Sequence, residues 1–142
     1  MESSHGKNSN YKNKNFLIVS LDSDLTDKSA IELQTDILNK VYENTVKGVL
    51  IDISVLDMVD SYLGKIIADM SAMIRLLGAE TVLVGMKPNV AITLVEMGFN
   101  IDGITTSMNV ETGIEMLENI IKSNAIQEVF KDELMKVRND DM

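Results

Sequence analysis

Residues 48–53, Gly-Val-Leu-Ile-Asp-Ile, are apolar almost without a break. A run this short and this uniform suits a strand covered on both faces, because a strand with one face in water alternates. Phe16–Leu21 is a second such run and 80–85 a third. Between them the apolar spacing turns helical. Ala30, Ile31, Leu33, Ile37, Leu38, Val41 and Tyr42 form one stripe over about 27–44, with Thr26 or Asp27 placed to cap it. Leu63, Ile66, Ile67, Met70, Met73, Ile74 and Leu77 form another after Ser61, and Gly78 stops it. Pro88 opens a short helix carrying Val90, Ala91, Leu94 and Val95, ended by Gly98. A weak strand is expected within 101–107. Asn109 then caps a helix to about Lys122, with Val110, Ile114, Leu117 and Ile121 inward. Strands alternating with helices predict an α/β sandwich. Its sheet is mostly parallel, of four to five strands, with about four helices packed on it. The segment near Tyr11 is placed to add one antiparallel edge strand.

The length of 142 residues fits one domain. Residues 1–14 read as a flexible polar tail, 15–122 as the domain, and 123–142 as a C-terminal extension. In that extension Ile126, Val129, Phe130, Leu134 and Val137 keep helical spacing. The pattern is equally that of a further helix, packed on the domain or on another subunit, and of a frayed, solvated one.

Composition narrows the function classes. Thirteen basic against 22 acidic side chains leave a net charge of −9. Such a chain is repelled by nucleic-acid phosphates and anionic membranes and favours basic partner surfaces. No cysteine is present, so no disulfide or thiolate metal site is expected, and a cytoplasmic setting fits. No apolar run approaches the roughly 20 residues of a membrane span, and the first 15 residues hold no secretory signal. The single histidine, His5, lies in the tail. Serine catalysis needs a base, and there is no Gly-x-Ser-x-Gly elbow, P-loop or Gly-x-Gly-x-x-Gly. Neither an enzyme nor a cofactor nor a metal is therefore expected. Met58, Met70, Met73, Met97 and Met116 read first as core filler, with Met58 also placed to face a partner.

One point stands out, where the acidic turn after the 48–53 strand becomes helix: Asp60, Ser61, Tyr62. Asp and Ser are among the commonest helix caps, and on the residues alone capping is the simpler reading. The other reading is an exposed hydroxyl that accepts a phosphate. A phosphate at a helix N-terminus gains about 0.3–1 kcal/mol. Repulsion by Asp57 and Asp60 costs on the order of 1 kcal/mol each near 4 Å in water. These nearly cancel, so the fold should persist, whereas misplaced charge across an interface costs several kcal/mol. A third arrangement, Asp22, Asp24, Asp57 and Asp60 with Lys87–Pro88, faintly suggests a phospho-aspartate receiver. There the Lys-Pro pair follows the last strand, but here another strand–helix unit comes after it.

The stretch 57–98 resembles a STAS domain, and most narrowly the small stressosome scaffolds of that family. The likeness rests on Asp60–Ser61, Leu-Leu-Gly-Ala at 76–79, Gly-x-x-Pro at 85–88 and Leu-Val-Glu-Met-Gly at 94–98, and covers roughly 16–122. It implies a non-enzymatic scaffold that joins RsbR-like STAS proteins, and further copies of itself, in a large complex. That complex holds an RsbT-like serine/threonine switch kinase. Phosphorylation of the serine that matches Ser61 releases the kinase during stress, and a cognate phosphatase resets the system. Asp57, Met58, Asp60, Tyr62 and Leu63 would form the surrounding partner surface, Tyr62 more than Leu63 as its anchor. Thr93 lies in a segment comparable to one that carries a second phosphorylated threonine in RsbR-type relatives. A stand-alone anti-sigma-factor antagonist, binding its kinase one to one, is the alternative within the same fold.

Overall fold

The computed structural model describes residues 6–11, 16–99 and 103–140. His5 and most of the expected 1–14 tail lie outside them, as do Ile101 and Asp102 of the expected weak strand. Four parallel strands and four helices form the body of an α/β sandwich. The strands are β2 (Phe16–Leu21), β3 (Gly48–Asp52), β4 (Glu80–Val84) and β5 (Thr105–Ser107), side by side in chain order. Ile18 stands opposite Leu50, Leu50 opposite Val82, and Val82 opposite Thr105. Ahead of them β1 (Gly6–Tyr11) runs antiparallel to β2, with Gly6 opposite Leu21. This consecutive order is not the 2-1-3-4-5 order of the flavodoxin-like receiver fold.

Both sheet faces are covered. Leu17, Val19, Val49, Ile51 and Leu83 point into the main core, which α1 (Asp27–Asn44), α2 (Ser61–Leu76) and α3 (Pro88–Glu96) close. Phe16, Leu50, Val82 and Val84 point the other way, to Leu117 of α4 (Val110–Asp140). β2, β3 and β4 thus alternate between two apolar layers, which is why their runs read as continuous. α4 lies close on the sheet at Gly113, where a Cβ would come within 2.9 Å of Leu50 Cδ1 and 3.0 Å of Val84 Cγ2.

The helix ends follow from local chemistry. The Thr26 hydroxyl accepts the Ser29 N–H at 3.1 Å, and Ser29 Oγ accepts the Thr26 N–H at 2.8 Å. This reciprocal box satisfies two of the first-turn donors. Gly78, at φ 87°, follows the end of α2. Four details differ from the stripes read in the sequence. Ile31, Tyr42, Leu77 and Val95 are exposed. Ile31, Tyr42 and Val95 each sit beside a buried residue, and about 100° of helical turn carries them off the core face, while Leu77 is the C-cap beyond the last turn of α2. The last helix also does not stop near Lys122 but continues to Asp140. No Gly or Pro after Gly113 interrupts it.

Candidate functional site

The site is built at the C-terminal edge of the parallel strands, where the β3–α2 loop lies. Asp52 ends β3 by turning its Oδ1 to the Ser54 N–H, 2.9 Å away. The next residues are pinned from inside. The Ile53 N–H donates to the Val84 carbonyl at 2.9 Å and the Leu56 N–H to the Ile53 carbonyl at 3.0 Å. The side chains of Ile53, Leu56 and Val59 are buried. Ser54 rests against Gly85, whose φ of 78° and missing Cβ leave the space; a Cβ there would meet Ser54 Cβ at 2.7 Å. The loop is therefore anchored at three points, and Val55, Asp57, Met58 and Asp60 face outward between them.

Asp60 is the N-cap of α2, and its Oδ1 accepts the Leu63 N–H at 2.8 Å. Its carbonyl accepts the Gly64 N–H at 2.9 Å. Ser61 is the first helical residue and is exposed. Its hydroxyl makes no hydrogen bond among the described residues. The backbone N–H groups of Ser61 and Tyr62 have no acceptor one turn earlier, since a helix leaves its first donors unpaired. The result is a free hydroxyl over a positive helix end, on a loop that cannot readily bend away.

The other residues singled out in the sequence divide. Met58 and Tyr62, 79% and 45% exposed, flank Ser61 on the surface. Leu63 instead packs against the main core. Thr93 Oγ1 donates to the Asn89 carbonyl at 2.9 Å within α3 and is only partly exposed. Asp22, Asp24, Asp57 and Asp60 do not gather with others into a metal-binding group; no such cluster occurs among the described residues.

One further residue joins the site through a contact with the loop. Lys87, the residue before α3, makes no capping bond and sends its ammonium to Asp57 Oδ1. The pair spans 30 residues of sequence. Asp57 is thereby neutralised in place, so the acid left unpaired closest to Ser61 is the capping Asp60. The receiver arrangement sets Lys87–Pro88 with Asp57, but only as one of four acids, and does not single out this pair. Both side chains are open to solvent, so the ion pair orients more than it stabilises.

Among the described residues no helix is long and apolar enough to cross a membrane. A family model described as "STAS domain" matches residues 9–113. The RsbT co-antagonist protein RsbRA of Bacillus subtilis (strain 168) is 28% identical over 102 residues. That match takes in 72% of this chain but only 37% of the relative's length. A solved serine-to-glutamate variant of Moorella thermoacetica RsbS superposes with a TM-score of 0.74 at 32% identity, covering 84% of this chain and 99% of that one. A chain solved as part of the molecular architecture of the stressosome, a signal integration and transduction hub, gives 0.70 at 34% identity, covering 80% and 97%.

Proposed function

The chain belongs to the STAS domain family, and on that premise we propose that it is a non-enzymatic scaffold of the stressosome type, switched by phosphorylation of Ser61. Its fold is that of RsbS and of anti-sigma-factor-antagonist STAS proteins. In the proposed cycle the unmodified protein, together with RsbR-like STAS proteins and further copies of itself, holds an RsbT-like serine/threonine kinase in the cytoplasm. Phosphate on Ser61 releases that kinase during a bacterial stress response, and a phosphatase restores the resting state. The reading needs no cofactor, metal or nucleic acid.

The observation that carries this is the unbonded, exposed Ser61 hydroxyl on a pinned loop, with Asp60 already supplying the cap. A phosphate would add about −1.5 to −2 charges and three acceptor oxygens over the free N–H groups of the first turn, without displacing an existing bond. Asp57, Met58, Asp60 and Tyr62 supply the outer surface a partner would meet. Like charge set into that surface costs several kcal/mol across an interface, and each 1.4 kcal/mol is about tenfold in affinity.

The test is phosphorylation by the cognate kinase with ATP, read by intact-mass and peptide mass spectrometry. A single phosphoserine at Ser61, absent from Ser61→Ala, is expected. Undiminished incorporation into Ser61→Ala removes the proposal.

A further inference from the structure

α4 carries two apolar stripes on opposite sides. Leu117 is fully buried, with Ile120 and Ile121 partly buried against the same core. Beyond Ile121 every described side chain is exposed. A helix turns about 100° per residue, so Ile126, nine residues after Leu117, lies about 180° around from the sheet-facing side. Val129, Phe130, Leu134 and Val137 fall on the same outer side as Ile126. They are 63%, 64%, 50% and 57% exposed, and Ile126 68%. The family model matches residues 9–113, so the stripe lies outside the matched region, exposed along its length.

We propose that this outer stripe pairs antiparallel with the same stripe of a second copy, Ile126 against Val137 and Phe130 beside Glu133. Three observations favour a second copy in this orientation. The first is area. An aromatic side chain buries on the order of 150–250 Å² when fully covered; Phe130 and four smaller aliphatic side chains, each half to two-thirds exposed, together offer on the order of 500 Å² per copy. A pair then buries roughly 1,000 Å², the lower bound for a specific interface. The second is charge. Residues 123–140 hold three cations and four acids, net −1, which leaves −8 of the −9 on the rest of the chain. An antiparallel contact centred near residue 132 lies about 16 Å beyond Ile121 at 1.5 Å per residue. Two acidic domains are thus held about 30 Å apart, several times the roughly 8 Å screening length. The third is Glu133, in the middle of the stripe. A parallel pair sets it against its own copy. The antiparallel pair sets it beside Phe130, with Lys136 Nζ 3.7 Å from its carboxylate.

Sedimentation of the full chain from about 1 to 500 µM tests this. Wild type should approach twice its 15.7 kDa at the upper end, and Phe130→Glu/Leu134→Glu should dissociate at least tenfold more readily with unchanged helical circular dichroism. The chain has no cysteine of its own, so introduced thiols report orientation. Ile126→Cys mixed with Val137→Cys should form the mixed disulfide, and Ile126→Cys alone should not link to itself. A wild type that stays monomeric at 500 µM, a dimer that survives the double substitution, or ready 126–126 linkage overturns the proposal.

Discussion

Asp60 and Ser61 are adjacent, both polar and both at the mouth of α2, yet the structure gives them separate work. The Asp60 carboxylate accepts the Leu63 N–H at 2.8 Å, while the Ser61 hydroxyl bonds to nothing described. Asp60→Ala removes the one side-chain acceptor of the first turn. Loss of an N-cap costs about 1 kcal/mol, within a range of roughly 0.5–2. Part of that is the favourable placement of a negative charge at the helix N-terminus, about 0.3–1 kcal/mol. Asp60→Asn keeps the acceptor and loses only this electrostatic share, so it should lie between wild type and Asp60→Ala. For a domain near 150 residues, 1 kcal/mol is roughly 3–4 °C in Tm. Ser61→Ala should stay within about 0.5 kcal/mol of wild type, as surface changes that break no bond do. Urea unfolding followed by circular dichroism at matched slopes measures all three. A Ser61→Ala loss equal to or greater than that of Asp60→Ala would mean the serine is the cap, and the division of roles fails.

Other changes test the packing that holds the loop and sheet in place. Leu117→Ala should cost about 2–5 kcal/mol, since Leu117 is fully buried and is the centre of the α4 layer; the same urea assay reads it. Gly113→Ala sets a Cβ 2.9 Å from Leu50 Cδ1, overpacking worth about 1–3 kcal/mol against about 1 kcal/mol gained in helix propensity, so the net loss should be at most about 2 kcal/mol. Lys87→Ala breaks the pair with Asp57, but the side chains are 42% and 81% exposed. Its cost should stay below about 1 kcal/mol and shrink in 1 M NaCl.

The parts of the fold legible in the sequence were those with a repeating period. The runs at 16–21, 48–53 and 80–85 declared doubly covered strands, and the stripes at 27–44 and after Ser61 declared helices that end near Thr45 and Gly78. Residues at the margin of a stripe were harder. Tyr42 follows the buried Val41 and is itself 75% exposed, because the core face is narrower than the apolar pattern. The length of α4 was hidden for the opposite reason. Its apolar face changes side after Ile121, so one continuous helix reads as two elements. At the site, the strand–turn–helix placement of Ser61 was readable from a cap signal and a change of period. The Lys87–Asp57 pair was legible only as two members of the receiver arrangement, since which acid meets the lysine depends on how β3 and β4 lie side by side and no local pattern encodes it. Leu63, which the apolar stripe sets inward and the partner-surface reading sets outward beside Tyr62, is partly buried against the main core, one helical step round from Tyr62.

The switch itself is tested most directly by the equilibrium affinity of the cognate kinase for three full-length forms: wild type, Ser61→Ala and Ser61→Asp. Wild type and Ser61→Ala should bind within about threefold of each other, while Ser61→Asp should bind at least tenfold more weakly, a difference of about 1.4 kcal/mol. Equal affinity of all three forms, with unchanged stability, would contradict it.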